Sequence, residues 1–530
     1  MDAAGRTELS GEDLTLVIDR RSWTVDGRKG RAVAVNGSVP GPILRLKEGQ
    51  RVRITVDNRM DEETSIHWHG LLVPFAMDGV PGITFPGIPA RSRFVYEFPV
   101  VQSGTYWAHS HSGFQEQEGL YLPVVIDPAG PDPVAADREH VVMLSDFAFV
   151  PPARILQRLK QESGGFNCQR QTVAGLLRGR DQPFRDRVEW ARMLMDPTDI
   201  ADVTGAVYTY LVNGMGPRDN WTGLFKPGEK VRLRFINAGA QTIFDVRIPG
   251  LALTIVAADG QPVRPVEVDE FQIANGETFD VIVQPAEDRA YTLVAEAADR
   301  SGLARGTLAP RAGMSAEVPK LRARPVDTMR DMGMDMSGMG HMKGMEMSML
   351  DPLNAPQVKM GPGVQMISPM PVDRLGEPGQ GLADAGHRVL TYRQLSGLAP
   401  PPDPRPPGRT LEIRLTGNME RFTWGFDGVR YSDGPKPYAF RAGERVRVVL
   451  VNDTMMAHPI HLHGHFFDLA TGAEGPPPRK HTVTVAPGGK VAWDFTPEPG
   501  DWAFHCHMFY HMAVGMFQVF AVRPFGEAPR

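Results

Sequence analysis

Residues 49–58 read Gly-Gln-Arg-Val-Arg-Ile-Thr-Val-Asp-Asn, a glycine followed by alternating apolar and polar side chains and closed by an asparagine. Alternation with a period of two predicts a β-strand with one buried face. The frame Gly-x-x-Val-x-apolar-x-apolar-x-Asn returns at residues 228–237 and 443–452. Because a generic strand pattern is rarely held in one register three times, the sequence predicts three homologous β units.

Length and composition agree with this repeat. A chain of 530 residues is too long for one hydrophobic core, and its 47 prolines and 56 glycines suit short strands joined by turns. We therefore predict an all-β chain of three β-sandwich domains. The predicted ranges are 1–130, 131–320 and 406–530, with a Met-rich and Pro-rich linker over 321–405. A charged segment, residues 152–196, predicts a helical and loop insertion in the second domain.

Several classes of partner are excluded by composition. A net charge of -5 argues against nucleic acid or an anionic membrane surface as a partner. No apolar run reaches the length of a membrane span. The polar first 12 residues lack the apolar core of a signal peptide, so no export signal is predicted within this chain.

Histidine is the residue type whose placement points to chemistry. Ten of the 15 histidines fall in four short clusters. Nine and eleven residues after the frame asparagine lie His67 and His69 in the first unit, and His461 and His463 in the third. The middle unit has apolar residues at these positions. The first and third units are therefore predicted to bind metal, and the second is not.

The C-terminal stretch, residues 505–516, contains the ligand types of a blue-copper centre. Such a centre uses one Cys, two His and a weak axial Met, and this stretch supplies Cys506, His511 and Met516. A further histidine is needed. His458 lies three residues before His461, so in a strand it points to the opposite face, the side that Cys506 occupies. We predict that His458 completes the set.

The remaining clustered histidines form a second predicted site. His505 and His507 flank Cys506 and therefore point to the other face of the strand. Half of the set comes from the first unit and half from the third, so the side chains can meet only at an interface between these units. Imidazole is a good copper ligand, and such an interface is a candidate catalytic site. The eight residues are His67, His69, His109, His111, His461, His463, His505 and His507.

Taken together, these motifs resemble the multicopper oxidase family over nearly the whole chain. Residues 58–70, 77–82 and 111–119 are similar to those of its bacterial copper-resistance members. The resemblance implies three cupredoxin-like Greek-key domains, a copper-free middle domain, a periplasmic location and a monomeric state. It also implies four copper ions, with electrons from Cu(I) or a phenolic reductant passing from the Cys506 copper to a cluster that reduces dioxygen to water.

The same resemblance implies a role for each ligand. The type 1 ion would be held by Cys506, His458, His511 and Met516, and Cys506 would accept the electron. His67 and His461 match the type 2 ligands. The type 3 pair matches His69, His109, His111, His463, His505 and His507.

Dioxygen reduction also consumes protons. Asp78 matches an acidic residue that the family uses beside its cluster, although Asp78-Gly79 is equally typical of a simple turn. Many relatives carry a Glu just after the last blue-copper histidine, where this chain has Met512 and Ala513. Glu116 and Glu118 are therefore candidate replacements in the proton route.

Nine of the 21 residues from Met329 to Met349 are methionine. Thioether sulfur suits Cu(I), so we predict copper binding there, and the alternative is a flexible linker. The candidate ligands are Met332, Met334, Met336, Met339, His341, Met342, Met345 and Met347. If this segment only stores copper, the chain would be a sequestering protein with little turnover, which is the main alternative function.

Overall fold

A computed structural model describes residues 7–334 and 349–524. Its strands form six sheets that pair into three β-sandwiches along the chain, so the predicted all-β fold is confirmed. Among the described residues, no helix is long and apolar enough to cross a membrane.

The first sandwich contains nine strands. They are β1 (Glu8–Ser10), β2 (Asp13–Val25), β3 (Arg28–Val35), β4 (Ile43–Lys47), β5 (Arg51–Asn58), β6 (His67–His69), β7 (Arg93–Pro99), β8 (Gly104–His109) and β9 (Tyr121–Asp127). The two sheets have the orders β1-β4-β9-β8-β6 and β3-β2-β5-β7.

The second sandwich contains eleven strands and three helices between its first two strands. The strands are β10 (Arg138–Ala148), β11 (Tyr208–Val212), β12 (Trp221–Leu224), β13 (Val231–Asn237), β14 (Phe244–Arg247), β15 (Leu253–Ala258), β16 (Gln261–Val268), β17 (Glu270–Ile273), β18 (Thr278–Val283), β19 (Tyr291–Ala297) and β20 (Leu303–Ala309). The helices are α1 (Pro152–Gln161), α2 (Val173–Leu177) and α3 (Phe184–Arg192). The sheet orders are β11-β10-β13-β18-β15-β16 and β12-β20-β19-β14-β17.

The third sandwich is completed by a short strand from the preceding segment. Its strands are β21 (Val372–Asp373), β22 (Arg409–Asn418), β23 (Thr423–Phe426), β24 (Tyr438–Arg441), β25 (Val446–Asn452), β26 (His458–Leu462), β27 (Phe467–Leu469), β28 (Arg479–Lys480), β29 (Thr482–Val485), β30 (Gly489–Phe495), β31 (Gly500–Cys506) and β32 (Phe517–Arg523), and its helix is α4 (Phe509–Val514). The orders are β23-β22-β25-β30-β27-β28, with β21 beside β30, and β24-β32-β31-β26-β29. Short 3₁₀ helices span Phe75–Met77, Ser163–Phe166, Met329–Met332, Pro352–Asn354, Tyr392–Gln394 and Tyr431–Asp433.

The repeated frame forms the same strand in each sandwich. Strands β5, β13 and β25 each lie between a parallel and an antiparallel neighbour. The frame glycine before each strand has a positive φ of 90°, 89° or 73°, a conformation that favours glycine. This backbone requirement explains why the glycine recurs.

The frame asparagine holds the turn that leads to the next strand. In the third sandwich, Oδ1 of Asn452 accepts the N–H of Thr454 at 2.9 Å, and its Nδ2 donates to the carbonyls of Met456 and Val485. Asn58 and Asn237 make the corresponding bonds in the other sandwiches. An asparagine that bonds to its own backbone two residues on is a recognised turn device. In the first and third sandwiches, the strand that follows carries the metal-site histidines.

The described part of the predicted linker packs against the sandwiches. Strand β21 pairs with β30, and Met366, Leu375 and Leu390 are buried in a core cluster that is continuous across the second and third sandwiches. The low-complexity composition of this segment gives no sign of these buried apolar residues, which are far apart in sequence. The segment therefore carries part of the contact between two sandwiches.

Candidate metal centre

Two antiparallel strand pairs bring the clustered histidines together. In the first sandwich His67 on β6 lies opposite His109 on β8. In the third, His461 on β26 lies opposite His505 on β31. The two pairs occupy equivalent positions, as expected for homologous units.

All eight histidines of the second predicted site meet between the first and third sandwiches. The ring centroids of His67 and His463 are 3.7 Å apart, and those of His69 and His461 are 3.8 Å apart. His111 approaches His505, with the centroids at 5.2 Å. All of the set except the half-buried His111 are buried. Backbone carbonyls and side chains around the cluster fix the orientation of these rings.

Backbone carbonyls orient several of the rings. The Nδ1–H of His67 donates to the carbonyl of Asp78 at 2.8 Å, and that of His505 to the carbonyl of Cys506 at 2.9 Å. His461 bonds in the same way to the carbonyl of His481 at 2.8 Å. A proton held on Nδ1 leaves the lone pair of Nε2 free, which is the arrangement that outer partners impose on metal-binding histidines.

The free nitrogens test whether copper fits. A buried polar atom without a partner is costly, so a group of them indicates something that binds there. Among the described residues, the buried ring nitrogens of this cluster without a hydrogen-bond partner are His67 Nε2, His69 Nδ1, His109 Nε2, His111 Nε2, His461 Nε2, and both nitrogens of His507. Burial lowers the pKa of His505 to about 3, so its imidazole is neutral at neutral pH, the form that binds metal. The donor set fits copper.

A second group of donors lies on the other face of β31. The Sγ of Cys506 is 3.6 Å from Nδ1 of His458 and 3.8 Å from Nδ1 of His511. The two Nδ1 atoms are 3.1 Å apart. Burial raises the pKa of the Cys506 thiol, so metal binding here must displace its proton. One thiolate and two imidazoles within this distance match the trigonal part of a blue-copper centre.

Met516 is fully buried directly after the turn that follows α4. Its carbonyl accepts the N–H of Cys506 at 3.1 Å, and its own N–H donates to the carbonyl of His511 at 2.9 Å. The backbone therefore fixes Met516 between two of the proposed ligands.

The three predicted acidic residues have different positions. Asp78 is buried, with Oδ2 3.0 Å from Nδ1 of His463. Glu116 is also buried, and its Oε2 lies 2.9 Å from Nδ1 of His109. Burial, followed by repulsion from Asp146, raises the pKa of Glu116 well above its ordinary value.

Glu118 is not at the cluster. Its carboxylate pairs with Arg20 at 2.9 Å, and its side chain is 22% exposed. Glu118 is only two residues from Glu116 in sequence, but the turn after His111 directs the two side chains apart.

Several contacts were missed from the sequence. Asp202, from the second sandwich, lies 2.7 Å from Nε2 of His511. Thr454 lies 2.7 Å from Nε2 of His458, and Thr482 lies 3.3 Å from Nε2 of His69. These three residues belong to no sequence motif. Their contacts with the proposed ligands are seen only in the folded chain.

His481 lies outside the four histidine clusters of the sequence. It is buried, and its ring centroid lies 4.8 Å from that of His69. Its own backbone carbonyl also accepts the hydrogen bond that orients His461. His481 is therefore part of the wall of the cluster, a position that its lack of a neighbouring histidine concealed.

Of the predicted Cu(I)-binding residues, Met332 and Met334 lie in the described part of the chain. Met332 is fully buried in the core, and Met334 packs against it. The others lie outside the described residues: Met336, Met339, His341, Met342, Met345 and Met347.

Family models described as multicopper oxidase match residues 17–130, 186–312 and 404–526. The chain belongs to the multicopper oxidase family. Copper is therefore its class of cofactor, and its reactants are dioxygen and a reducing substrate.

Relatives of this multicopper oxidase extend over almost its whole length. It is 49% identical to a copper resistance protein A homolog of Pseudomonas syringae pv. tomato, over 96% of this chain and 92% of the relative. It is 47% identical to copper resistance protein A of Escherichia coli, with the same coverage. The solved structure of Fet3p, described as a multicopper oxidase that functions in iron import, has the same fold. It aligns with a TM-score of 0.68 at 20% identity, over 98% of this chain and 91% of that one.

Proposed function

We propose that this multicopper oxidase oxidises Cu(I), phenolic compounds or both, and that it serves in copper resistance. Four copper ions are proposed. One would be held by His458, Cys506, His511 and Met516, and three by the eight-histidine cluster. When bound, these ions would supply one-electron chemistry and reduction of dioxygen to two waters.

The main support for this proposal is that the two sites adjoin each other along β31. Cys506 faces His458 and His511, whereas His505 and His507 on either side of it face the cluster. The covalent path between the sites is therefore only one residue long. A protein that merely stored copper would need no such link between two different donor sets.

The remaining residues of the site hold ligands and protons. Asp78 accepts a hydrogen bond from His463 through Oδ2 and lies between the first and third sandwiches. Its other oxygen, Oδ1, is buried without a hydrogen-bond partner among the described residues and is the atom proposed to hold a proton. Glu116 offers Oε2 on the opposite side, next to His109. The loss of Glu at the position of Met512 or Ala513 makes these two carboxyls the proposed proton donors nearest the cluster.

A sulfur-lined cavity supports Cu(I) as the reductant. Met195, Met419 and Met455 line a cavity of ≈ 250 Å³, whose charged lining residues are three acidic groups and one arginine: Asp196, Asp199, Glu420 and Arg170. Thioethers prefer Cu(I), and acidic side chains attract a cation. This cavity lies between the insertion that carries the three helices and the third sandwich.

The cavity is linked to the Cys506 site by a short segment. Met455 directly follows Thr454, and Thr454 Oγ1 lies 2.7 Å from Nε2 of His458. A Cu(I) ion bound in this cavity would therefore lie close to His458, a ligand of the proposed copper that accepts the electron.

Oxygen uptake tests the proposal directly. Copper-loaded protein should consume dioxygen with Cu(I), show an intense blue band, and lose both in Cys506→Ser while keeping the copper at the eight histidines. A protein that binds copper and turns blue but consumes no dioxygen with Cu(I) or a catechol would be a sequestering protein instead. A Cys506→Ser variant that stayed blue would rule out the ligand assignment.

The same proposal places the protein in the periplasm as a monomer. Cell fractionation and sedimentation of the copper-loaded chain would test these two points.

A further inference from the structure

The insertion of the second sandwich differs in charge from the rest of the chain. Residues 152–192 contain nine Lys or Arg and four Asp or Glu, so they carry a net charge of +5. The whole chain has a net charge of -5, which leaves -10 for all other residues. Salt screens exposed charges more than about 10 Å away, so the charge that acts at a contact is local. The repulsion from an anionic surface that the whole-chain charge predicts therefore does not apply to the insertion.

Large apolar side chains protrude from the same insertion. Val173 and Leu177 lie one turn apart on α2 and are 69% and 82% exposed. Phe184, at the start of α3, is 70% exposed. Helix α2 has no buried residue, so these side chains do not serve a core. A group of exposed apolar side chains within 12 residues of chain indicates a surface that contacts something other than water.

Hydrogen bonds hold the starts of α2 and α3 together. The N–H of Thr172 donates to Oδ2 of Asp181 at 2.7 Å, and Nη1 of Arg187 donates to the carbonyl of Thr172 at 3.1 Å. Val173 directly follows Thr172, and Phe184 lies between Asp181 and Arg187 in the chain. The apolar side chains of the two helices are therefore held in one region of the surface.

Exposed arginines accompany these apolar side chains. Arg178 and Arg180 follow α2, and Arg185 directly follows Phe184. Among the described residues, no carboxylate forms an ion pair with Arg178 or Arg180. Guanidinium groups that are free in this way can bind phosphate oxygens in pairs. We call this surface the basic tip, and it consists of Val173, Leu177, Arg178, Arg180, Phe184 and Arg185.

We propose that the basic tip docks this protein onto a membrane surface that contains anionic phospholipids. The arginines would bind lipid phosphates, and the three apolar side chains would enter the interface between headgroups and acyl chains. Protruding apolar side chains fit a fluid interface, whereas a folded protein partner would need a pocket of matching shape for each of them. Docking of this kind does not depend on turnover.

Docking would also fix the position of the sulfur-lined cavity relative to the lipid. Helix α3, nine residues or about 14 Å long, runs from Phe184 of the basic tip towards Leu194. Leu194 is 65% exposed and lines the cavity, as does Arg170 of the insertion. The insertion therefore connects the basic tip to the site where Cu(I) is proposed to bind, and a docked chain would hold that site near the membrane.

Vesicle binding of the copper-loaded protein tests the proposal. The protein should co-sediment at low salt with vesicles of equal parts phosphatidylglycerol and phosphatidylcholine. It should bind pure phosphatidylcholine vesicles much more weakly and dissociate from the mixed vesicles as the salt concentration rises. The double variant Arg178→Gln/Arg180→Gln should lower the affinity for mixed vesicles by about tenfold or more. Leu177→Ser/Phe184→Ser should lower it by about tenfold as well, because both apolar side chains no longer enter the interface.

Matched controls lie on other exposed surfaces. Leu353→Ser replaces a leucine that is 83% exposed, and Arg53→Gln/Arg218→Gln removes two other exposed arginines. Both should bind mixed vesicles like the parent protein. In a separate measurement, the added tryptophan of Leu177→Trp should be quenched by mixed vesicles with brominated acyl chains, and that of Leu353→Trp should not.

Three results would overturn the proposal. The first is no binding to the mixed vesicles at low salt. The second is full binding by both double variants of the basic tip, because the contact would then lie elsewhere on the chain. The third concerns polyglutamate, which carries negative charge without acyl chains. If the protein bound polyglutamate as tightly as the mixed vesicles, and Leu177→Ser/Phe184→Ser weakened neither, the basic tip would recognise an acidic protein instead of lipid.

Discussion

The carboxylate of Asp202 accepts a hydrogen bond from Nε2–H of His511 at 2.7 Å, although the two residues are 309 positions apart. The second sandwich has no histidine cluster of its own, yet it supplies this outer partner of a proposed copper ligand. Nδ1 of His511 is left to face Cys506. Gln241 of the second sandwich donates to the same Asp202 carboxylate at 2.6 Å. The middle sandwich therefore helps to fix the orientation of the Cys506 site.

Replacing Asp202 should weaken copper binding at that site. We expect Asp202→Ala to lower the affinity of the blue site for copper by about 10–100-fold, because loss of such an outer partner has costs of this size. Competition with a chelator, followed by the blue absorbance, measures the change. Asp299→Asn, a buried carboxylate of the same sandwich that bonds to Ser301, is the control. Equal retention of colour in both variants would show that Asp202 does not support the site.

The two carboxyls at the cluster should act differently from its ligands. Asp78→Asn should keep the blue colour and the full copper content and slow dioxygen reduction by on the order of 10²-fold, as expected for a group that handles protons. Glu116→Gln should also keep its copper. Metal analysis and oxygen uptake are the measurements. Loss of copper from Asp78→Asn would indicate that the residue mainly holds His463 in place.

The variant Glu118→Gln is the control for Asp78→Asn and Glu116→Gln. Its carboxylate pairs with Arg20 on the surface and should matter little for turnover. A slowing as large as that of Glu116→Gln would contradict the separation of the two residues.

The frame asparagine provides a prediction about stability. Asn237→Ala removes three hydrogen bonds inside the second sandwich and leaves the carbonyls of Thr242 and Ile273 without this donor. We expect the free energy of unfolding to fall by about 2–3 kcal/mol. Denaturant unfolding of copper-free protein measures it, and the blue band of loaded protein should remain. A loss below the error of the measurement would show that the turn is held by other contacts.

Local rules in the sequence were enough to predict the strands and the face of the strand on which most of the proposed copper ligands lie. The alternating frame predicted β5, β13 and β25, and strand parity predicted that His458 faces Cys506 while His461 faces away. Both inferences depend only on the period of a strand. They required no knowledge of how the sandwiches pack.

Contacts between sandwiches could not be inferred in this way. Asp202 and the buried pair of Lys480 and Asp259 join residues that are far apart in sequence and carry no spacing signal. The role of residues 349–405 was concealed for a similar reason. Its buried Leu375 and Leu390 are separated by a polar and Gly-rich stretch, so no periodicity marks them.

The last prediction concerns the route of Cu(I) into the sulfur-lined cavity. Met455→Leu should raise the apparent Michaelis constant for Cu(I) and leave phenol oxidation and the blue band nearly unchanged, because leucine keeps the volume and removes the sulfur. Met366→Leu, a buried methionine of the same core that does not line the cavity, is the matched control. Steady-state oxygen uptake with the two substrates separates these effects.

Protons and metal cations should compete for the same cavity. Burial, together with repulsion from Asp202 and Asp196, raises the pKa of Asp199 to about 8. Below this pH the carboxyl is mostly protonated, and a cation must displace the proton. Affinity for Ag(I), a redox-inert substitute for Cu(I), should therefore rise with pH up to about 8. Calorimetric titration should show a weaker rise in Asp199→Asn, and an identical rise would exclude this carboxyl.

The Met-rich segment is then tested against the cavity. The described residues on either side of residues 335–348 are anchored on one short stretch: the carbonyl of Met349 accepts the N–H of Ile367, and the carbonyl of Gly333 accepts that of Met370. Gln365, in the same stretch, accepts the N–H of the cavity residue Met419 at 2.9 Å. A tether fixed at such points can raise the local concentration of a bound ion near the cavity.

Replacing residues 335–348 by Gly and Ser at equal length should therefore raise the apparent Michaelis constant for Cu(I) without loss of blue colour. If the segment supplies the cavity, the replacement combined with Met455→Leu should have less effect than the product of the two single effects, because both act on one route. Independent effects that multiply would indicate two separate routes for Cu(I). Unchanged kinetics after the replacement alone would show that the methionines serve only as a linker.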